Sequence, residues 1–127
     1  MNDLKILMER RGHTALLTLN NPAANTWDQE SLALFESTVQ SLDADKDIYA
    51  LVITGQGEKF FSAGADLNQF ADGNTNTARQ VSERFGQTLE ALSAFRGVSI
   101  AAINGYAMGG GLECALACDL RIAEEHA

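Results

Sequence analysis

Ile103-Asn104-Gly105-Tyr106-Ala107-Met108-Gly109-Gly110-Gly111-Leu112-Glu113 is the stretch on which the reading of this chain turns. Before it, Val98 to Ile103 has the apolar, partly β-branched composition of a short strand buried on both faces. After it, from Gly109 through Cys118, the pattern is helical. The glycines therefore lie where a strand gives way to a helix. Small residues at such a junction let backbone N–H groups be approached closely, and the helix N-terminus adds a positive partial charge. Upstream, Phe60-Phe61-Ser62-Ala63-Gly64-Ala65-Asp66-Leu67 has the same character. Either segment alone is equally well explained by glycines that tighten a turn and pack a helix on a sheet. Together they point to two N–H groups aimed at one place, the arrangement that stabilises an oxyanion. A nucleotide-phosphate loop is not indicated, because Gly109 to Gly111 fit neither the G-x-x-x-x-G-K-[ST] nor the G-x-G-x-x-G spacing.

Outward from these segments, strand and helix patterns alternate. Leu4 to Glu9 and Thr14 to Asn20 read as a hairpin with Gly12 and His13 at the turn. Thr26 and Gln29 form a T-x-x-Q arrangement close to a capping box, and Leu32, Phe35, Val39 and Leu42 follow at helical spacing, which predicts a helix over Trp27 to Leu42. Ile48 to Thr54 reads as a buried strand ending at Gly55, and Ala71 to Thr77 as a mobile surface loop. Val81, Phe85, Leu89 and Leu92 repeat the helical stripe, and Leu120 to Ala123 supplies a further strand. The class is α/β with parallel pairing.

A length of 127 residues leaves room for one domain, and 46% hydrophobic with 20% charged residues is the composition of a globular protein. A formal charge of −8 argues against a broad basic surface for nucleic acid or anionic lipid. No apolar run approaches the roughly 18 to 20 residues of a membrane span. Met1 to Arg11 is too polar for a signal peptide, so a cytoplasmic protein is expected. Cys114 and Cys118 stand four apart in a helical stretch with neither His13 nor His126 at a ligand spacing; they read as buried thiols, with no metal site.

The quoted segments, together with the strand Leu17-Thr18-Leu19-Asn20 before Asn21-Pro22, resemble the crotonase superfamily of enoyl-CoA hydratases and isomerases. The resemblance runs from Met1 to the end and is to the N-terminal part of such an enzyme. It implies a spiral of ββα units, incomplete here because the chain ends early. It also implies a homotrimer or dimer of trimers for the full-length fold, an acyl-CoA thioester as ligand, and no cofactor, since coenzyme A belongs to the substrate. Carried over by position, Ala65 and Gly110 would supply the oxyanion-hole amides. Ala63, Ala65, Asp66, Leu67 and Asn68 would line the coenzyme A site, and Glu113 would be the first of the hydratases' two catalytic glutamates.

The segment carrying the second glutamate would lie beyond Ala127, and Glu124 and Glu125 fall before its expected place. Asn68 stands where many relatives carry a basic residue, which leaves Lys59, Arg79 or Arg84 to meet adenosine phosphates. Phe70, Phe85 and Met108 either shape an acyl pocket or belong to the core. The resemblance leads to addition of water to a 2-enoyl-CoA. Its alternatives are another crotonase reaction on the same oxyanion hole (isomerisation, decarboxylation or thioester hydrolysis) and an inactive fragment.

Overall fold

Two antiparallel strands open the chain: β1 (Ile6–Arg11) and β2 (Thr14–Leu19), with Ile6 opposite Leu19 and Arg11 opposite Thr14. The structure, a computed structural model, describes residues 3–127. After the hairpin come α1 (Gln29–Asp43), β3 (Ala50–Gly55), β4 (Phe60–Ser62), α2 (Thr75–Ser93), β5 (Val98–Ile103), β6 (Tyr106–Ala107), α3 (Gly110–Ala117) and β7 (Leu120–Ala123). The main sheet has the order β1-β2-β3-β5-β7, parallel everywhere except at the hairpin. β4 and β6 form a second, two-stranded parallel sheet. This small sheet positions the site, because each of its strands leads directly into one of the glycine segments.

Burial follows from the period of each element. Ala15, Leu17 and Leu19 of β2 are buried and alternate with half-buried neighbours, and Leu51 and Ile53 of β3 repeat the pattern. Leu32, Phe35, Val39 and Leu42 of α1 close over this layer, with Leu92 of α2 and Phe61 of β4 completing the core. Cys114 and Cys118 are buried thiols in or beside α3, and burial pushes the Cys118 thiol up to about 11. No helix among the described residues is long and apolar enough to cross a membrane.

Several boundaries differ from the sequence reading, each for an identifiable reason. The first helix begins at Gln29 rather than Trp27, and its cap is Asp28, not Thr26. Asp28 Oδ1 accepts from the Ser31 amide at 2.8 Å and Ser31 Oγ accepts from the Asp28 amide at 2.9 Å, a reciprocal box. Trp27 is extended and engaged elsewhere: its N–H donates to Gly64 O and its carbonyl accepts from the Asp66 amide, both at 2.8 Å. Most of Ala71 to Thr77 stays outside regular structure. Its last residues start α2, because Asn74 Oδ1 accepts from the amides of Asn76 and Thr77. β3 begins at Ala50 because the Ile48 amide is taken up in a turn onto Asp45 O. β1 begins at Ile6 and runs to Arg11 because it follows the full length of β2.

Candidate active site

Ala65 is held by its neighbours. The bonds from Trp27 to Gly64 O and from Asp66 to Trp27 O make Trp27 and Ala65 a parallel bridge. In such a pairing the residues on either side of Ala65 face the partner, so the N–H and C=O of Ala65 face away from it. Among the described residues the Ala65 amide has no acceptor.

The opposite side of the site is the N-terminus of α3. Gly109 caps it with φ +51°, a conformation open to glycine, and no side chain satisfies the first amides. Gly111 N–H turns back to Met108 O at 2.8 Å and Glu113 N–H to Gly109 O at 2.9 Å, whereas the Gly110 amide has no acceptor among the described residues.

The two segments approach as closely as backbones can. Gly64 has φ +104°, and a Cβ there would stand 3.0 Å from Met108 O and 3.2 Å from the Gly110 nitrogen. Across the same seam, a Cβ on Gly111 would meet Ser62 O at 2.2 Å. Met108 N–H donates to Ser62 O at 3.0 Å, which extends the β4–β6 ladder to the start of the glycine run. Asn104 braces the corner below: its Oδ1 accepts from the Gly55 amide at 3.0 Å, and its Nδ2 donates to Gly55 O and Gly57 O, each at 2.9 Å.

Ala65, Gly110 and Glu113 border one cavity of about 410 Å³, within the range of small-molecule sites. Phe70 and Phe85 form apolar walls. Behind Gly110 the wall is aromatic: a Cβ on Gly110 would meet the Phe85 ring at 2.8 Å and Trp27 Cδ1 at 3.4 Å. Trp27 is buried, stands edge-on to Phe35 and Phe85, and leaves its indole Nε1 without a hydrogen-bond partner among the described residues. Glu113, in the first turn of α3, is exposed at the cavity rim, and no other carboxylate borders that cavity among the described residues.

The other expected site residues are not part of the cavity lining. Ala63, Asp66, Leu67 and Asn68 do not border the cavity. The Ala63 amide donates to Ala24 O, Asp66 accepts from the Asn68 amide to cap the short 3-10 turn Leu67–Phe70, and Leu67 is 77% exposed. They form an open ledge beside it, not a pocket. Met108 is exposed and likewise outside the cavity. Of the basic residues considered for phosphates, Arg84 is paired with Glu36 at 2.7 Å, and Lys59 lies over the Phe60 ring. Glu124 lines different cavities, with Asn104. Of α2 the sequence reading weighed only Phe85 as a wall of an acyl pocket, which does line the cavity, and it missed that Ala78, Ser82 and Gly86 face the same cavity. Their four-residue spacing was the available signal.

The family model described as enoyl-CoA hydratase/isomerase matches residues 9–127. The short-chain-enoyl-CoA hydratase of Clostridium acetobutylicum is 34% identical over 123 residues, which are 96% of this chain and 47% of that protein. Among solved structures, Pseudomonas aeruginosa DspI is 66% identical and superposes with a TM-score of 0.95, covering 97% of this chain and 50% of DspI. An enoyl-CoA hydratase from Bacillus anthracis is 34% identical with a TM-score of 0.94, covering 97% of this chain and 48% of its own. The chain thus spans about half the length of the relatives it matches. By its matched sequence and by its crotonase fold, it belongs to the enoyl-CoA hydratase/isomerase family.

Proposed function

We propose that the protein carrying this chain adds water to a 2-enoyl-CoA thioester. One observation carries the reading: Ala65 and Gly110, whose amides have no acceptor among the described residues, border a single largely apolar cavity together with Glu113. The amides would bind the thioester oxygen and draw charge onto it as the β carbon is attacked, where preorganised donors in a water-poor site act strongly. Glu113 would orient the water and take its proton. A second acid would then deliver a proton to the α carbon, and no carboxylate of the described residues stands ready for it. Hydration is redox-neutral, so the proposal needs no redox cofactor, and coenzyme A enters with the substrate. The ledge Ala63 to Asn68 is the proposed coenzyme A contact, largely through main chain. A trimer is the proposed assembly of the full-length protein, to be checked by its sedimentation.

The test is Glu113→Gln in the full-length protein, assayed on crotonyl-CoA. The expected outcome is a fall in kcat of about 10²-fold or more with a smaller change in KM, because the residue acts on the water in the transition state. Retention of kcat would remove Glu113 from the chemistry. It would assign activation of the water to a different base and leave the hydration reading standing; a full-length protein that leaves crotonyl-CoA unchanged would favour another family reaction on the same amides.

A further inference from the structure

Trp27 has a hold on both amide segments. Its main chain pairs with the first: the Trp27 N–H donates to Gly64 O, and its carbonyl accepts from the Asp66 amide and from Gln69 Nε2, the latter at 3.1 Å. Its side chain reaches the second: indole Cδ1 stands 3.4 Å from where a Cβ on Gly110 would lie, and the ring is edge-on to Phe85, which backs the same glycine. Trp27 is itself pinned from behind. Thr26 O accepts from Asn21 Nδ2 at 2.9 Å, Asp28 caps α1, and the indole packs on Phe35 of that helix with ring centroids 5.4 Å apart. The indole is kept at a cost, because Trp27 is 2% exposed and its Nε1 is buried without a partner among the described residues. A hydrocarbon ring would avoid that cost. What the two-ring side chain supplies in return is reach, from Phe35 on α1 to Phe85 on α2 and Gly110 on α3.

We infer that Trp27 is a positioning residue: it fixes the separation and aim of the Ala65 and Gly110 amides, holding the first through its main chain and backing the second with its ring. The inference rests on the proposed function for the group those amides bind, a thioester carbonyl. Its own content is the coupling of the two amides through one residue. A donor pair is effective because it stands in place before charge develops, and a misplacement of about 1 Å costs on the order of 10²-fold in rate. A side-chain substitution leaves the main-chain bonds of Trp27 available and removes only the ring, so it reads the Gly110 half of the coupling.

The experiment compares wild type, Trp27→Phe and Trp27→Leu in the full-length protein with Val39→Ala, a change in the buried face of α1 that does not border the cavity. It records the thermal midpoint, kcat and KM for crotonyl-CoA, and the infrared carbonyl stretch of bound hexanoyl-CoA carrying a carbon-13 label at the thioester carbon. Hydrogen bonds to the oxygen lower that stretch, and a saturated thioester cannot be hydrated, so the band reports the amides without turnover. Wild type is expected to lower the band from its free position. Trp27→Leu should return it part of the way and reduce kcat by about tenfold to 10²-fold with a smaller change in KM. Trp27→Phe, which keeps an aromatic edge, should recover part of both. Val39→Ala should lower the midpoint and leave band and kcat as in wild type. A wild-type band and kcat in Trp27→Leu overturn the inference and leave the hydratase reading intact. So does an equal loss in Val39→Ala, since the effect would then be a general loosening of the core. If Trp27→Leu does not fold, Trp27→Phe decides, and a band at the wild-type position overturns the inference. A wild type that leaves the band at its free position removes the role of the amides and the inference with it. One that lowers the band without hydrating crotonyl-CoA removes the hydratase reading alone, and the band in the variants decides the inference.

Discussion

At Gly110 packing and chemistry can be separated by substitution. It is the first residue of α3, a position where proline is well accepted, so Gly110→Pro removes a donor without breaking the helix. Any side chain there presses on the Phe85 ring, and Gly110→Ala measures that pressure alone. The expected outcome is a further loss of about 10²- to 10³-fold in kcat/KM from Ala to Pro, the usual worth of one oxyanion donor. Equal values for the two variants would assign the Gly110 amide no part in the reaction. At this scale the sequence was informative about glycines and uninformative about ledges. Gly64 and the run 109–111 announce close backbone approach by their composition, and they do approach. Asp66 caps a short turn on which Leu67 and Asn68 are exposed, a geometry that residue type alone does not report.

Among the elements, α1 shows how a start signal is chosen. Thr26 and Asp28 are both acceptable caps in sequence, and the bridge between Trp27 and Ala65 excludes the earlier one by holding Trp27 extended. Partial burial alone pushes the Asp28 carboxyl up. Lys5 and the Ser31 amide outweigh it and hold the group below its ordinary 3.8, while Lys5, pulled by Asp28 and Glu30, is raised above 10.5. A lowered acid stabilises the fold above its unfolded value and loses that contribution as pH falls through its folded one; a raised lysine does the converse. Asp28→Asn keeps a cap and loses the ion pair, whereas Asp28→Ala loses both. Urea unfolding at neutral pH should rank wild type above Asn above Ala, the last down by about 0.5–2 kcal/mol. The wild-type lead over Asn should shrink once the pH falls below 3.8. β5 was legible to the residue as a run that is apolar apart from Ser99 and is closed by Asn104-Gly105, and β7, which carries Arg121 between Leu120 and Ile122, was legible with the same bounds. β4 and β6, three and two residues long, are too short for any periodicity to register.

For the whole molecule the decisive feature is an uncovered face. Leu112 and Leu116 on the outside of α3, with Leu120 and Ile122 on β7, are 44%, 59%, 55% and 68% exposed, and β7 is the edge of the sheet. Patches of this kind mark surfaces that bind other polypeptide or aggregate. Sedimentation of the 127-residue polypeptide should therefore show self-association that falls when Leu116 and Ile122 are both replaced by Lys. A monodisperse monomer at tens of micromolar would contradict it. Composition predicts none of this, since the same leucines would read as core in any α/β chain. Only the structure shows that these stand on the edge strand and on the outer side of the helix before it.

The two amides without acceptors also make the site visible in a labelling experiment. An N–H that donates to nothing and is open to solvent exchanges with deuterium faster than a bonded one, so Gly111 and Glu113, which donate to Met108 and Gly109, should be the protected ones. Ala65 and Gly110 should be fast-exchanging points inside otherwise slow segments. Saturation with a non-hydrolysable acyl-CoA should slow those two while leaving the exchange of the hairpin strands as it was. Unequal slowing would identify which of the pair carries more of the thioester oxygen, a division of labour that a rate constant cannot resolve.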